Sequence, residues 1–437
     1  MTVALLVTST IAIAIAIWDP RPLLKEADTL IVIWIVALAA WPYIVIYCVA
    51  PFFWADAAEA GVLSPALQFI PAAAVSAIAL FSALREKQVD ISLPAALVGV
   101  SIVFAAVAIG ASGFSKVINF GLAVSLYAGV ILKWRKVTLR SVGVGALISL
   151  SLMALATTIG AVANSSAVVA PCRQDKCGLV SEALTSPFAG NGNVLGMATT
   201  LLVPFAFAVL PAWRSLIVVA GVGGLQFLAG SRTAMFALAV GVAGLVVISL
   251  CRTIRARLVA ATLALVVGFA ASLRFMFVNY SGSTDSYRGY LWDMATEAIR
   301  RAPVFGHGPG YWWQLNDSAL FQANYSPHNG WLDLLTAVGA WGVIVIVAGI
   351  IVQLLTTART ALPWLIAYYA TVLSVGMLES PYVPYYYGIL PFTAIMPLMI
   401  YEPRESMDPE LDENLSIVPS IPVGEKVENK DPSTAAI

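Results

Sequence analysis

"SPHNGWLDLLTAVGAWGVIVIVAGIIVQLL", Ser326 to Leu355, holds a single charged side chain, Asp333, in thirty residues. A hydrocarbon core about 30 Å thick needs about 20 predominantly apolar residues to cross it as a helix, and this run supplies them from Gly330 on. At its entrance stands His328, one of only two histidines in the chain. The stretch therefore places a titratable ring where water gives way to hydrocarbon.

The rest of the chain follows the same logic. Of 437 residues, 60% are hydrophobic and 11% charged, where soluble domains carry roughly 25% charged residues. Apolar runs near 3–18, 29–50, 65–83, 92–110, 115–132, 141–162, 193–210, 214–229, 233–250, 258–275, 330–356, 361–378 and 386–401 predict an all-α polytopic membrane protein. Twelve or thirteen transmembrane helices are expected, with a long external helical loop before the His-bearing span. The run from Val3 to Trp18 lacks a basic leader and a small-residue cleavage site, so it reads as a first span rather than a signal peptide.

Lys and Arg fall in alternate short loops, "RPLLK", "REK", "KWRKVTLR", "WR" and "CRTIRAR". By the positive-inside rule these face the cytoplasm. The organisation that results is 1–162, N-terminal spans; 163–192, an external loop; 193–275, further spans; 276–329, a long external loop with an amphipathic helix; 330–401, C-terminal spans. Residues 402–437 form a cytoplasmic tail with nine acidic and three basic side chains, expected to be disordered. Cys172 and Cys177, in "PCRQDKC", lie in the first external loop, where a disulfide suits an oxidising compartment. Neither metal-ligand spacing nor a Walker or dinucleotide fingerprint is present, so no metal and no cofactor is expected. Formal net charge is zero; nothing suggests nucleic acid, and the partners expected are membrane lipid and a lipid-borne ligand.

Ionisable groups at membrane depth are costly and usually functional. Here they gather at the external ends of the later spans. Arg232, in "LAGSRTAMF", opens a helix whose N-terminus favours anions, and Ser231 or Thr233 can cap it. Arg288 begins "YRGYLWDMATEAIRRAPVFGHGPGYWW". There Leu291, Met294, Ala295 and Ala298 recur at helical spacing, predicting an amphipathic helix near the membrane surface. Trp292, one turn on, can stack on Arg288 or anchor at the interface. "FGHGPGYWW" adds a Gly-rich turn and an aromatic cluster with Tyr311; its His307 reads as a loop histidine with local hydrogen bonds. Beyond His328 and Asn329, Leu335, Gly339 and Gly342 fall within about 60° of the histidine's direction on a helical wheel, a small face open to a helix or a substrate chain. Two arginines suit a diphosphate, since the guanidinium fork matches phosphate oxygens. The histidine suits a hydroxyl acceptor.

These blocks resemble a known family. "HNGWLDLLTAVGAWG", "GSRTAMFALAVG" and "YRGYLWDMATEAIRRAPVFGHGPG" are similar to recurrent segments of the O-antigen ligase and polymerase superfamily, closest to O-antigen ligase, over roughly residues 185–380. The resemblance implies a glycosyltransferase of the bacterial inner membrane with its active site facing the periplasm. It would move a glycan from undecaprenyl diphosphate to an acceptor hydroxyl, a lipid A core sugar in ligases, a glycan repeat in polymerases and a Ser or Tyr hydroxyl in a protein-modifying branch, without metal and with inversion. It implies His328 as general base or acceptor-orienting group, Arg232 and Arg288 as diphosphate ligands, and Asn193, in "NGNVLGM", as a supporting residue. A lipid-glycan flippase or other transporter is the alternative of a different class. Against it, no internal repeat is visible and midplane charges are nearly absent.

Overall fold

The computed structural model describes residues 2–18, 24–25, 27–61, 63–86, 137–172, 181–186, 188, 192–282, 284–308, 311–312, 326–380 and 400. The described residues are almost entirely helical, with one two-stranded antiparallel hairpin. Four helices are long and apolar enough to cross a membrane, or five if a bent pair counts as one span; four further apolar helices are shorter. The chain is an all-α polytopic membrane protein. Every expected span within the described residues falls on a helix. Those at 92–110, 115–132 and 386–401, the tail at 402–437, and Cys177 with its proposed pairing lie outside the described residues.

The first half builds a platform. Helices α1 (Thr2–Ala16), α2 (Thr29–Ala39), α3 (Trp41–Phe53), α4 (Leu63–Glu86) and α5 (Leu139–Ala163) precede the hairpin of β1 (Val169–Pro171) and β2 (Glu182–Leu184). Proline explains the one broken span. Pro42 and Pro51 each lack an N–H donor and disturb the helical ladder. The chain bends by 44° between α2 and α3, and Val45–Val49 widens into a π-turn. Ser186 Oγ donates to the Ile46 carbonyl in that turn, so the segment after the hairpin holds the bend.

The second half carries the polar residues. It comprises α6 (Asn193–Val209), α7 (Ala212–Leu228), α8 (Arg232–Leu250), α9 (Ile254–Ser272), α10 (Thr284–Arg301), α11 (Gly330–Thr356) and α12 (Leu362–Val375). Close approaches occur where a side chain is missing. A Cβ on Gly241 of α8 would lie 2.7 Å from Thr371 Oγ1 of α12, and one on Gly268 of α9 would lie 2.4 Å from the Ala370 carbonyl. These contacts set α8, α9 and α12 side by side. The start of α8 and the ends of α9 and α12 therefore share one end of the bundle. The basic turns at 211–214 and 251–257 lie at the other.

Helix α11 is not continuous. Gly339 adopts φ 59°, ψ −172°, outside the helical region. The expected small face of Leu335, Gly339 and Gly342 is thus no face at all, because the helix breaks in its middle. A break orphans backbone groups, and buried orphans are costly. Here a loop replaces the missing bonds. The N–H groups of Ala340 and Trp341 donate to the carbonyls of Pro303 and Val304 (2.9 and 3.0 Å), while those of His307 and Gly308 donate to Thr336 and Ala337 (2.7 and 3.0 Å). Such contact demands glycine on both sides. Gly306 and Gly308 also have positive φ, and a Cβ on Gly339 would lie 2.4 Å from the Val304 carbonyl. The "FGHGPG" turn and the "AVGAWG" helix are two halves of one joint.

Gly339→Ala is expected to break this joint. Four exchanged bonds at ~1 kcal/mol each, with about 1–3 kcal/mol for a non-glycine residue in this positive-φ extended region, give a loss of about 6 kcal/mol. Thermal unfolding of the purified protein checks this; an unchanged Tm contradicts the docked loop.

Candidate active site

His328 lies just before α11 with φ 48°, the single non-glycine residue with positive φ among those described. Histidine tolerates this region better than bulky or branched residues, yet it remains uncommon. Its neighbours enforce it. On one side, Trp292 of α10 donates its indole N–H to the Pro327 carbonyl at 2.9 Å, and Ser326 Oγ accepts the His328 N–H at 3.3 Å. On the other, Asn329 is fully buried and uses its whole side-chain amide. Its Oδ1 caps α11 by accepting from Trp331 and Leu332, and its Nδ2 donates to the carbonyls of Ser272 and Met377. The Gly330 N–H donates to Gly376. His328 is thereby pinned between the ends of α9, α11 and α12. Strain held by its surroundings is common at functional sites.

The ring meets a residue that the sequence reading passed over. His328 Nδ1 lies 2.8 Å from Glu379 Oε2, and Arg288 Nη2 donates to Glu379 Oε1 at 2.9 Å. All three side chains are largely buried, 10%, 8% and 15% exposed for His328, Glu379 and Arg288. Burial would raise the Glu379 carboxyl; the facing His328 and Arg288 outweigh it and hold the group below the usual carboxylate range. An ionised carboxylate only accepts hydrogen bonds, so Nδ1 of His328 carries the proton and Nε2 holds the ring's lone pair in the neutral form. This is the arrangement that readies an imidazole to receive a proton at Nε2.

The sign of the pH dependence follows. Glu379 has a lower pKa folded than unfolded, where a glutamate titrates near ~4.3. Its stabilising contribution is complete above the unfolded value and is lost as pH falls through the folded one. The stability gap between wild type and Glu379→Gln should therefore narrow as pH drops below about 4. Thermal unfolding from pH 7 downward reads it, and a constant gap would show that Glu379 is not held ionised.

The other expected site residues are placed as follows. Arg288 is joined to His328 through Glu379. Trp292 is fully buried, with Tyr280 and Phe275 edge-on to it. It is not an interfacial anchor, because the protein encloses it and its indole N–H is spent on Pro327. The amphipathic face of α10 is likewise turned into the protein. Leu291, Trp292 and Ala295 pack with Trp312 and with Leu332 of α11. Tyr311 stacks on His307 at 4.6 Å, and His307 Nε2 lies 2.8 Å from the Ala298 carbonyl, so both belong to the docked loop. Arg232 is exposed at the first turn of α8 and forms no ion pair among the described residues. Ser231 precedes it but makes no side-chain cap; its Cβ faces Gly196 of α6 instead. Asn193 opens α6 beside it. Arg232 and Asn193 thus stand at the same end of the bundle as His328, on neighbouring helices.

Glu379 had a signal in the sequence. It is the sole carboxylate between Asp333 and Glu402, and an isolated acid at the end of an apolar run asks for a partner.

Residues 216–347 match the family described as O-antigen ligase. The match contains Arg232, Arg288, Trp292, Tyr311, His328 and Asn329; Asn193 and Glu379 lie outside it. No curated protein matches the chain.

Proposed function

We propose a specific reaction for this chain from the match of its residues 216–347 to the O-antigen ligase family, whose members are glycosyl-transfer enzymes. The protein moves a glycan from undecaprenyl diphosphate to an acceptor hydroxyl, a lipid A core sugar, on the periplasmic face of the bacterial inner membrane. The observation that carries this reading is the buried Arg288–Glu379–His328 relay, with the exposed Arg232 at the same end of the bundle.

An acceptor hydroxyl hydrogen-bonds to Nε2 of His328. Its oxygen attacks the anomeric carbon from the side opposite the diphosphate. The bond from that carbon to the diphosphate oxygen breaks, and its electron pair leaves with the diphosphate. The hydroxyl proton passes to Nε2, and Glu379 stabilises the imidazolium. Attack from the opposite side inverts the anomeric centre. Arg232 and the remaining donors of Arg288 meet the growing charge on the leaving group, and preorganised positive charge of this kind is often the largest contribution to rate. One donor of Arg288 is committed to Glu379, so Arg232 carries the greater part of diphosphate binding.

The test is transfer in vitro with purified protein, an undecaprenyl diphosphate-linked glycan and candidate acceptors, with a metal chelator present. Covalent product on lipid A core supports the ligase reading, and a ladder of glycan lengths replaces it with a repeat-unit polymerase. Movement of labelled lipid across the bilayer without covalent product overturns both in favour of a transporter. Arg232→Ala is expected to weaken donor binding by about 1.5–3 kcal/mol, the worth of a charge-assisted hydrogen bond, which is roughly 10–100-fold in Kd. An unchanged Kd removes Arg232 from the diphosphate site.

A further inference from the structure

The helix break also marks a level in the membrane. From Gly330 to Gly339, α11 is buried on nearly every side; beyond the break it exposes apolar side chains, Trp341 at 43% and Ile344 at 66%. At 1.5 Å per residue, the run from Ala340 to Thr356 is about 25 Å long, close to the ~30 Å hydrocarbon thickness. The break therefore falls near the membrane boundary on the His328 side.

The loop that docks there carries two exposed apolar side chains of its own, Val304 at 52% and Phe305 at 53%. The Val304 carbonyl accepts the Trp341 N–H, so this pair adjoins the lipid-facing side of α11. Just before it, at the end of α10, Arg300 and Arg301 are exposed and share one carboxylate, Glu297, leaving net positive charge. Apolar tips beside exposed arginines fit the boundary between acyl chains and lipid phosphates.

We propose that the Val304–Phe305 turn is a membrane-dipping wedge that binds the lipid surface, with its apolar side chains among acyl chains and Arg300 and Arg301 at headgroup phosphates. The lipid contact of this region is thus made by the turn after α10, since the apolar face of the helix is used within the protein. Because the same turn supplies the backbone groups that complete the break in α11, lipid contact supports the joint that leads back to His328. The inference does not depend on the reaction proposed above.

Hydroxyl-radical footprinting of the wild-type chain tests it, in nanodiscs holding one copy each so that a second copy cannot shield the turn. Leu263 at the middle of α9 (62% exposed) serves as the lipid-facing reference and Tyr290 (45% exposed) as the water-facing one. After correction for intrinsic reactivity, Phe305 should be modified at the Leu263 rate and roughly tenfold more slowly than Tyr290, because the hydrocarbon region excludes water. Modification of Phe305 at the Tyr290 rate overturns the wedge.

Discussion

Replacing His328 with alanine is expected to slow glycan transfer by about 10²–10⁴-fold, the usual range for a positioned acid–base group, with donor affinity nearly unchanged. The division follows from position. In the proposed reaction the ring meets the acceptor through Nε2, while its Nδ1 is committed to Glu379. The diphosphate is assigned to the arginines. Single-turnover transfer measured beside equilibrium donor binding separates the two effects. An equal loss of affinity in His328→Ala and Arg232→Ala would remove the distinction between an acceptor end and a donor end.

The second large effect is expected at Glu379. Deleting its carboxylate in Glu379→Ala leaves the Arg288 guanidinium largely buried without its counter-charge, and breaking a buried pair in this way costs about 3–5 kcal/mol. Part of that loss is structural, so Glu379→Gln is the sharper variant. It keeps the volume and can still accept from Nδ1, yet it cannot stabilise an imidazolium by charge. Transfer in Glu379→Gln should fall about 10²-fold or more, while donor affinity stays close to wild type. A Glu379→Gln enzyme with wild-type transfer would reduce the carboxylate to a structural tie.

The helical, membrane-spanning character was legible because hydrocarbon imposes it: every backbone group must be satisfied within the segment, and that constraint writes long apolar runs into the sequence. Arg232, Arg288 and His328 stand out as candidates for the complementary reason, since polar side chains are rare in such surroundings. Three features were not. Glu379 lies 51 residues from His328, and no local pattern announces a pairing at that distance. Gly339 read as a small contact residue because glycine serves both as a contact and as a site of positive φ; only the second glycine-rich turn at 306–308 hints at which. The apolar stripe of α10 has the same periodicity whether it meets lipid or Leu332, and only the fold decides between them.

The central claim is that Arg288, Glu379 and His328 act as one unit, with the carboxylate working through the ring. A double-mutant cycle on transfer rate tests it most directly, using wild type, Glu379→Gln, His328→Ala and the double variant in the same assay. Residues that act as a unit are strongly non-additive, so the double variant is predicted to be no slower than His328→Ala alone. Rate losses that multiply would contradict the relay and show that Glu379 and His328 contribute independently.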